Sequence, residues 1–420
     1  MNLAIRNRLL SIALFFNFIS LIYLVWIPAT LIDCSSKSVS IEKLFCLAPY
    51  LNMLGNFLLL VPTALIFRLL FKNISNLKLS IIIPVRNEAE HIGVLLNDLE
   101  KQTLDRRFFE VWVMDDASTD KTTEIVNGYI QKKMMSLNLV SLTDVAASSP
   151  KKRAITEALK RVHGQLIITI DGDCRVGERW LEIFAQTYLE TGAKLISGPV
   201  TFLNTVASSV LRRGGAIAQT IEFSSLIGTG ACLLEAGYPT MCNGANLAYE
   251  RAAFEAVGGF EGVDQIASGD DEFLLQKIAK HFGVEKLYFL KNKAAIVSTH
   301  AQDSWRGFYY QRVRWASKWA VNKRPATMVV AFGVFLVNLL TLVVLIVPFR
   351  EKVVPWEFCT ILLLKYVPEF LFLRLIIRFL GREKWAKYIP VVQFFYPIYV
   401  LFFGIGAQRK GYVWKGRSLK

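Results

Sequence analysis

Four polar segments that carry carboxylates interrupt apolar stretches in the middle of this chain: Pro84-Val85-Arg86-Asn87-Glu88, Asp115-Asp116-Ala117-Ser118-Thr119-Asp120, Asp171-Gly172-Asp173 and Ser268-Gly269-Asp270-Asp271-Glu272. Asp171 and Asp173 flank a glycine just after LIITI, so a tight turn carries both carboxylates toward one point. Hard oxygen ligands suit Mg2+ or Mn2+, a cation that can bridge the diphosphate of a nucleotide and stabilise the charge growing on it as it leaves. Such triplets also cap turns and helices, so their weight comes from where they stand. Asp115 and Asp116 suit base and ribose hydroxyls as acceptors, whereas Ser118, Thr119 or Asp120 is placed to cap the next helix, the better reading for Asp120. Arg86 and Lys151 are candidates for nucleotide or phosphate contacts, although Lys152 and Arg153 beside Lys151 also fit a plain surface charge.

Asp270, Asp271 and Glu272 begin a helix, where negative charge suits the helix dipole. The same carboxylates could serve as a general base: an attacking hydroxyl must lose its proton, and crowded like charges raise one carboxylate's pKa toward a useful value. Cys242-Asn243-Gly244-Ala245-Asn246 reads as a turn between apolar segments. Farther on, Gln311, Arg314, Trp315 and Lys318 share one face of a basic, aromatic helix. That face fits a membrane-surface helix with aromatic anchors, and it also fits an aromatic platform with an arginine for a diphosphate.

The elements that must position these residues alternate in type. LSIIIPV, FEVWVMD, LNLVSL, QLIITID and KLISGPV have the near-continuous apolar character of buried parallel strands, and the stretches 91–101 and 121–131 have helical spacing. The pattern predicts a doubly wound α/β, Rossmann-like domain. In open sheets of that kind ligands bind at the carboxyl ends of the strands, where three of the polar segments fall.

With 53% hydrophobic residues and positive mean hydropathy, the chain of 420 residues is too apolar for a purely soluble enzyme. Runs at 9–27 and 51–71 are each long enough to cross a bilayer, and we expect them to form a helical hairpin. A cleavable leader is disfavoured, because Pro28 and the polar loop after the first run lack a small-x-small site. Arg6 and Arg8 place the N-terminus in the cytosol, so two crossings return the central domain there. Three more apolar runs follow at 328–348, 358–380 and 389–407. Were all three to span, the basic tail with Arg409, Lys410, Lys415, Arg417 and Lys420 would end outside, against the positive-inside rule. The middle run carries Lys365, Pro368, Glu369, Arg374 and Arg378, and we favour a re-entrant or interfacial course for it. The expected organisation is therefore a hairpin at 1–72, a cytosolic domain at 73–325, a membrane region at 326–407 and a basic tail at 408–420.

A net charge of +15 does not make this a nucleic-acid binder, since the cations cluster beside the apolar runs, where membrane lipids account for them. The six cysteines form no CxxC pair and no histidine stands at metal-ligand spacing, which argues against zinc. Cys34 and Cys46 either form a disulfide in an outward loop or remain two thiols.

Taken in order, IIIPVRNE, DDASTD, KKRAI, DGD, NGAN, GDDEFL and QRVRW resemble glycosyltransferase family 2, inverting enzymes with the GT-A fold, over roughly residues 79–319. The resemblance implies nucleotide recognition by Val85, Glu88, Asp116 and Lys151, nucleotide and metal contacts by Asp171 and Asp173, and Asp271 as general base. Because GDD stands where many members carry ED, Asp270 shares that candidacy. NGAN and QRVRW would place Asn243, Asn246, Gln311, Arg314 and Trp315 at the diphosphate and acceptor end. The implied partners are a nucleotide-diphospho-sugar donor, a lipid-linked or growing glycan acceptor and membrane lipids, with Mg2+ or Mn2+ as cofactor. The flanking membrane helices resemble those of processive polysaccharide synthases and of lipid glycosyltransferases of the ceramide glucosyltransferase type. Few charges in the first two runs argue against a polar tunnel there and favour a lipid-linked or membrane-proximal acceptor over a growing polymer, although the charged middle run near Lys365 and Glu369 argues for one. The expected setting is a multi-pass protein of a bacterial inner membrane with its catalytic domain in the cytoplasm. A rival reading, a membrane receptor or transporter subunit with a degenerate nucleotide-binding domain, would leave the strand-end acids dispensable.

Overall fold

A computed structural model describes residues 77–143, 149–203, 210–266, 268–321, 325–351, 356–406, 412–414 and 417–419. The chain divides into two compact units, residues 1–77 with 189–191 and residues 78–188 with 192–420, and nearly all described residues belong to the second. The expected hairpin at 1–72, Cys34 and Cys46 lie outside the described residues.

Five apolar runs become the strands expected of them: β1 (Leu79–Val85), β2 (Phe109–Asp115), β3 (Leu137–Ser141), β4 (Leu166–Thr169) and β5 (Leu195–Ser197). Helices α1 (Ile92–Glu100), α2 (Thr122–Lys132), α3 (Pro150–Leu159) and α4 (Trp180–Thr191) connect them. After β6 (Val200–Phe202) and the long α5 (Val210–Glu235) come β7 (Leu247–Glu250), α6 (Arg251–Ala256), α7 (Asp270–Phe282), β8 (Leu287–Phe289) and β9 (Val297–Thr299). The seven-stranded sheet has the order β3-β2-β1-β4-β7-β5-β8. It is mixed: β7 runs antiparallel to both β4 and β5, while the other neighbouring pairs are parallel. The parallel half alone was legible, because LAYE in β7 is too short for its period to announce a strand.

β1 and β4 are almost wholly buried, as strands covered on both faces must be. Burying Ile81, Ile82 and Ile83 completely contributes roughly 1.5–3 kcal/mol each, and this apolar slab fixes where the polar strand ends emerge.

At the C-terminal side, α8 (Trp305–Val321) leads to α9 (Pro325–Glu351), α10 (Trp356–Phe379), α11 (Ile389–Gly406) and a small hairpin of β10 (Tyr412–Trp414) and β11 (Arg417–Leu419). Among the described residues three helical stretches are long and apolar enough to cross a membrane: Arg212–Glu235, Met328–Ile346 and Glu383–Gly406. The last two leave large apolar side chains such as Val329, Phe332, Ile398 and Ile405 more than half exposed, which water would penalise and lipid would not. More than half of the first is covered by protein, and Ile217 and Ile221 pack there on Leu373, Ile377 and Ile389. The charged middle run is one continuous helix, α10, with Pro368 inside it and Lys365 paired to Glu369 at 2.9 Å.

Candidate active site

The ends of β1 and β2 are tied together by their own loops. Asn87, in the left-handed region at φ 52°, accepts a bond from Thr119 N at 2.8 Å, and its own N–H donates to Ser118 Oγ at 2.9 Å. Asp120 accepts from Ala89 N at 3.0 Å and from Thr122 N at 3.0 Å, so it holds the start of α2 and the β1 loop together. Arg86 reaches across to the carbonyl oxygens of Asp116 and Ala117 at 2.5 and 3.1 Å.

The three consecutive cations of KKRAI go to three destinations, because each helical step turns the side chain by about 100°. Lys151 Nζ lies 2.6 Å from Asp171 Oδ1 and 3.4 Å from Asp270 Oδ2. Lys152 is buried and donates to the carbonyls of Val263, Ile266 and Ser268 at 2.6, 2.8 and 3.1 Å, anchoring the loop that enters α7. Arg153 meets Asp116 Oδ1 at 2.5 Å. Burial, the largest influence on Lys151, pushes its pKa down, but Asp171, Asp270 and Asp271 together outweigh it and raise the pKa above its ordinary value. The crowding of acids anticipated at Asp270 is thus relieved by an ammonium between strand β4 and helix α7.

α7 starts where it does because of Gly269. That residue has φ 83°, and a Cβ there would lie 2.7 Å from the Phe273 ring. Asp271 then turns inward: Oδ2 accepts from Gly244 N at 3.0 Å and Oδ1 from Glu272 N at 2.7 Å. Gly172 allows a similarly close approach, since a Cβ would stand 2.8 Å from Val85 Cγ1.

One cavity of about 860 Å³ joins these groups, a size usual for small-molecule sites. Its walls include Val85, Arg86, Glu88, Asp116, Lys151, Asp171, Asp173, Asn243, Asp270 and Asp271 at one end. Gln311, Arg314 and Trp315 of α8 line it farther along, and Phe335 of α9 with Val400 and Phe403 of α11 line its apolar reach. Carboxylates from the turn after β4 and from α7, distant in sequence, therefore share one cleft with the α8 face.

Two expected site residues stand elsewhere. Asp115 is buried and does not line the cavity; its carboxylate accepts from Ser118 N at 3.3 Å and shapes the turn after β2. Asn246 is fully buried and also outside the cavity wall: its amide donates to the carbonyls of Pro199 and Ala295 at 2.8 and 2.9 Å and accepts from Trp180 Nε1 at 3.0 Å. Asn246→Ala would leave these three groups without their partner, and we expect a loss of about 2–5 kcal/mol in stability with ligand affinity of the folded fraction preserved. Thermal unfolding alongside nucleotide titration checks this; unchanged unfolding would refute it. The side chain of Lys318 lies outside the described residues.

Sequence reasoning passed over several groups in the wall. His300 stacks on His91 with ring centroids 4.3 Å apart. Burial, then the His91 charge, lowers its pKa, against a pull upward from Asp173. Gln219 of α5 holds this segment by a reciprocal pair with the backbone of Gln302 at 2.9 and 3.0 Å. Glu222 and Arg312 also line the cavity, and only the tertiary fold shows them together. Cys174 is buried beside Asp173, and burial pushes its thiol well up, which leaves a poor nucleophile.

Among the described residues no three His, Cys, Asp or Glu side chains form a ready-made metal cage. Asp171 and Asp173 remain a pair of hard oxygen donors in the cavity wall, which suits a cation completed by phosphate oxygens and water.

Residues 80–256 match the family model described as Glycosyl transferase family 2, and the chain carries a domain of that family. The chain is 32% identical over 123 residues to glycosyltransferase AglE of Haloferax volcanii, covering 29% of this chain and 39% of that protein. It is 35% identical over 106 residues to the poly(ribitol-phosphate) beta-N-acetylglucosaminyltransferase TarS of Staphylococcus aureus, covering 25% and 18%. The matches thus span well under half the length of these relatives. A solved structure of a mannosyltransferase from Pyrobaculum calidifontis, in complex with GDP-Man and Mn2+, is similar at a TM-score of 0.48 and 18% identity, covering 79% of this chain and 88% of that one. The family match ends before α7 and α8, so the roles of Asp270, Asp271, Gln311, Arg314 and Trp315 rest on their placement.

Proposed function

We propose that this protein is an inverting glycosyltransferase that moves a sugar from a nucleotide-diphospho-sugar to a lipid-linked or membrane-proximal acceptor, with Mg2+ or Mn2+ at Asp171 and Asp173. The observation that carries the reading is the single cavity joining the ends of β1, β2 and β4 and the start of α7 to the α8 face, in a chain with a family 2 domain. In this reading Val85, Arg86, Glu88 and Asp116 hold the nucleotide end, and Lys151 orients Asp171. The cation would neutralise charge on the diphosphate. Asp271 takes the proton of the acceptor hydroxyl as its oxygen bonds to the anomeric carbon. The bond from that carbon to the diphosphate breaks on the opposite face, and the nucleoside diphosphate leaves beside Gln311 and Arg314. Attack and departure on opposite faces invert the anomeric centre.

The apolar reach of the cavity, beside two helices of membrane-crossing length, favours an acceptor with a lipid part. It fits a multi-pass membrane setting, and the positive charges Arg6 and Arg8 favour the cytoplasmic side for the domain at 73–325. The paired charges Lys365 and Glu369 on α10 support a second reading, a processive polysaccharide synthase with a polar path.

The test is a donor screen on the purified full-length protein with radiolabelled nucleotide sugars, comparing Mg2+, Mn2+ and chelator. We expect transfer from one donor, loss with chelator and recovery with one of the two ions. A high-molecular-weight product would favour the polymer reading over the lipid one, and no transfer from any donor would overturn both.

A further inference from the structure

Arg312 stands among the cavity-lining residues of α8, with its side chain almost wholly enclosed by protein. Its side chain is 3% exposed, and Nη2 lies 2.5 Å from Oε2 of Glu222, itself 9% exposed, on α5. Tyr399 of α11 closes the arrangement: its hydroxyl donates to Glu222 Oε1 at 2.9 Å and accepts from Arg312 Nε at 3.1 Å. The remaining terminal nitrogen, Nη1, donates to Gln311 Oε1. The guanidinium carbon sits 4.5 Å from the centroid of Phe308 and 4.4 Å from that of Trp315.

Beyond its contact with Arg312, Trp315 also meets an aromatic column. Its ring stacks on Phe223 at 5.6 Å, and Phe223 stacks on Phe202 of β6 at 4.7 Å. Gln311 and Trp315, two residues of the α8 face, are therefore both touched by one cation that is fixed from two other helices.

Burying an ion pair is not by itself a source of stability, because an apolar trio of similar volume would fill the space at no greater cost. An apolar trio would not fix the direction of the Gln311 amide or hold a planar cation against Trp315. The planar fork of arginine can do so, with one edge on Glu222 and another nitrogen on Gln311; a lysine would keep the charge and lose the directions.

We propose that Arg312 is a positioning residue for sugar transfer, held by Glu222 and Tyr399 so that it sets Gln311 and Trp315 in the cavity wall. The proposal rests on the glycosyltransferase reading and extends it to three residues on three helices. It separates two ends of the cavity: the nucleotide end at Asp116 and Lys151 is built by other elements and does not depend on Arg312.

The experiment compares full-length wild type, Arg312→Lys and Tyr399→Phe with the donor found in the screen. It reads kcat, donor KM, affinity for the corresponding nucleoside diphosphate, and thermal unfolding. Arg312→Lys is expected to lower kcat by about tenfold to a hundredfold, while donor KM and nucleoside diphosphate affinity change by less than about fivefold, because the diphosphate loses the Gln311 direction but the nucleotide end is kept. Tyr399→Phe, which removes one hydroxyl and no charge, keeps the test open should the lysine variant fold poorly; it is expected to lower kcat several-fold with the same separation. Wild-type kcat in both variants overturns the proposal, as does a loss of nucleotide affinity in step with kcat and unfolding, which a merely structural pair would give. A wild type that transfers sugar from no donor sinks the activity itself, and the positioning role with it.

Discussion

Asp271→Asn is expected to slow sugar transfer by about a hundredfold to ten-thousandfold, the range that a positioned general base contributes. The substitution has a second consequence that the structure makes specific. Both carboxylate oxygens of Asp271 accept backbone N–H groups, from Gly244 and Glu272, and an asparagine can present only one acceptor oxygen. One N–H must therefore face an amide nitrogen, at a cost of about 1–3 kcal/mol. Rate and stability should fall together in Asp271→Asn, and the base role is read from what remains after folding is accounted for. Nucleotide affinity of the folded variant, measured by titration, is expected to hold within a few-fold while kcat collapses. Retention of more than a tenth of the wild-type kcat would move the base to Asp270, whose carboxylate points to Lys151 instead.

Lys151→Met is expected to damage both donor binding and chemistry. The ammonium separates Asp171 from Asp270, and its removal leaves carboxylates of the turn after β4 and of α7 facing one another across the cavity. Their repulsion raises the energy of the ionised forms, and the site must take up protons, draw in a cation or open. Donor KM is expected to rise by about tenfold or more, with kcat falling as well. The pH dependence has a definite sign. Lys151 has a raised pKa in the fold, so its stabilising contribution is complete below the ordinary lysine value of about 10.4 and is lost only in stronger alkali. Wild type therefore keeps this cation throughout the neutral range. The variant, whose carboxylates now repel one another, should lose stability as pH rises through their titration and recover it in mild acid. Unfolding curves of the two proteins from about pH 3 to pH 8 check the divergence; parallel curves would mean that Lys151 does not hold these acids apart.

The legibility of this protein follows the range of the forces involved. β1, β2 and β4 were readable because a strand buried on both faces must be apolar along its length, and the polar residues directly after it then stand at the ligand-binding edge. The place of Asp120 at the start of α2 was readable for a similar reason, since its bond to Thr122 N spans only two positions, whereas its bond to Ala89 was not. β7 was not, because four residues carry too little period, and its antiparallel course is chosen by pairing with β4 and β5.

The same division runs through the site. Asn243 and Asn246 look alike in NGAN, yet Asn243 lines the cavity and Asn246 ties Trp180 to two backbone carbonyls in the core. Lys151, Lys152 and Arg153 are one basic run in sequence and three separate anchors in space. Arg312 drew no role from the sequence, because the partners that give it meaning lie 90 residues before it and 87 after it in the chain. The sequence alone determined the apolar strands, the acids at their ends and the length and apolarity of the helices, since hydrophobic burial and turn chemistry act on neighbours along the chain. Which acids share a cavity, which cation stands between them and which asparagine is buried were decided only by tertiary packing, because a hydrogen bond or ion pair between distant segments leaves no period for a sequence to display.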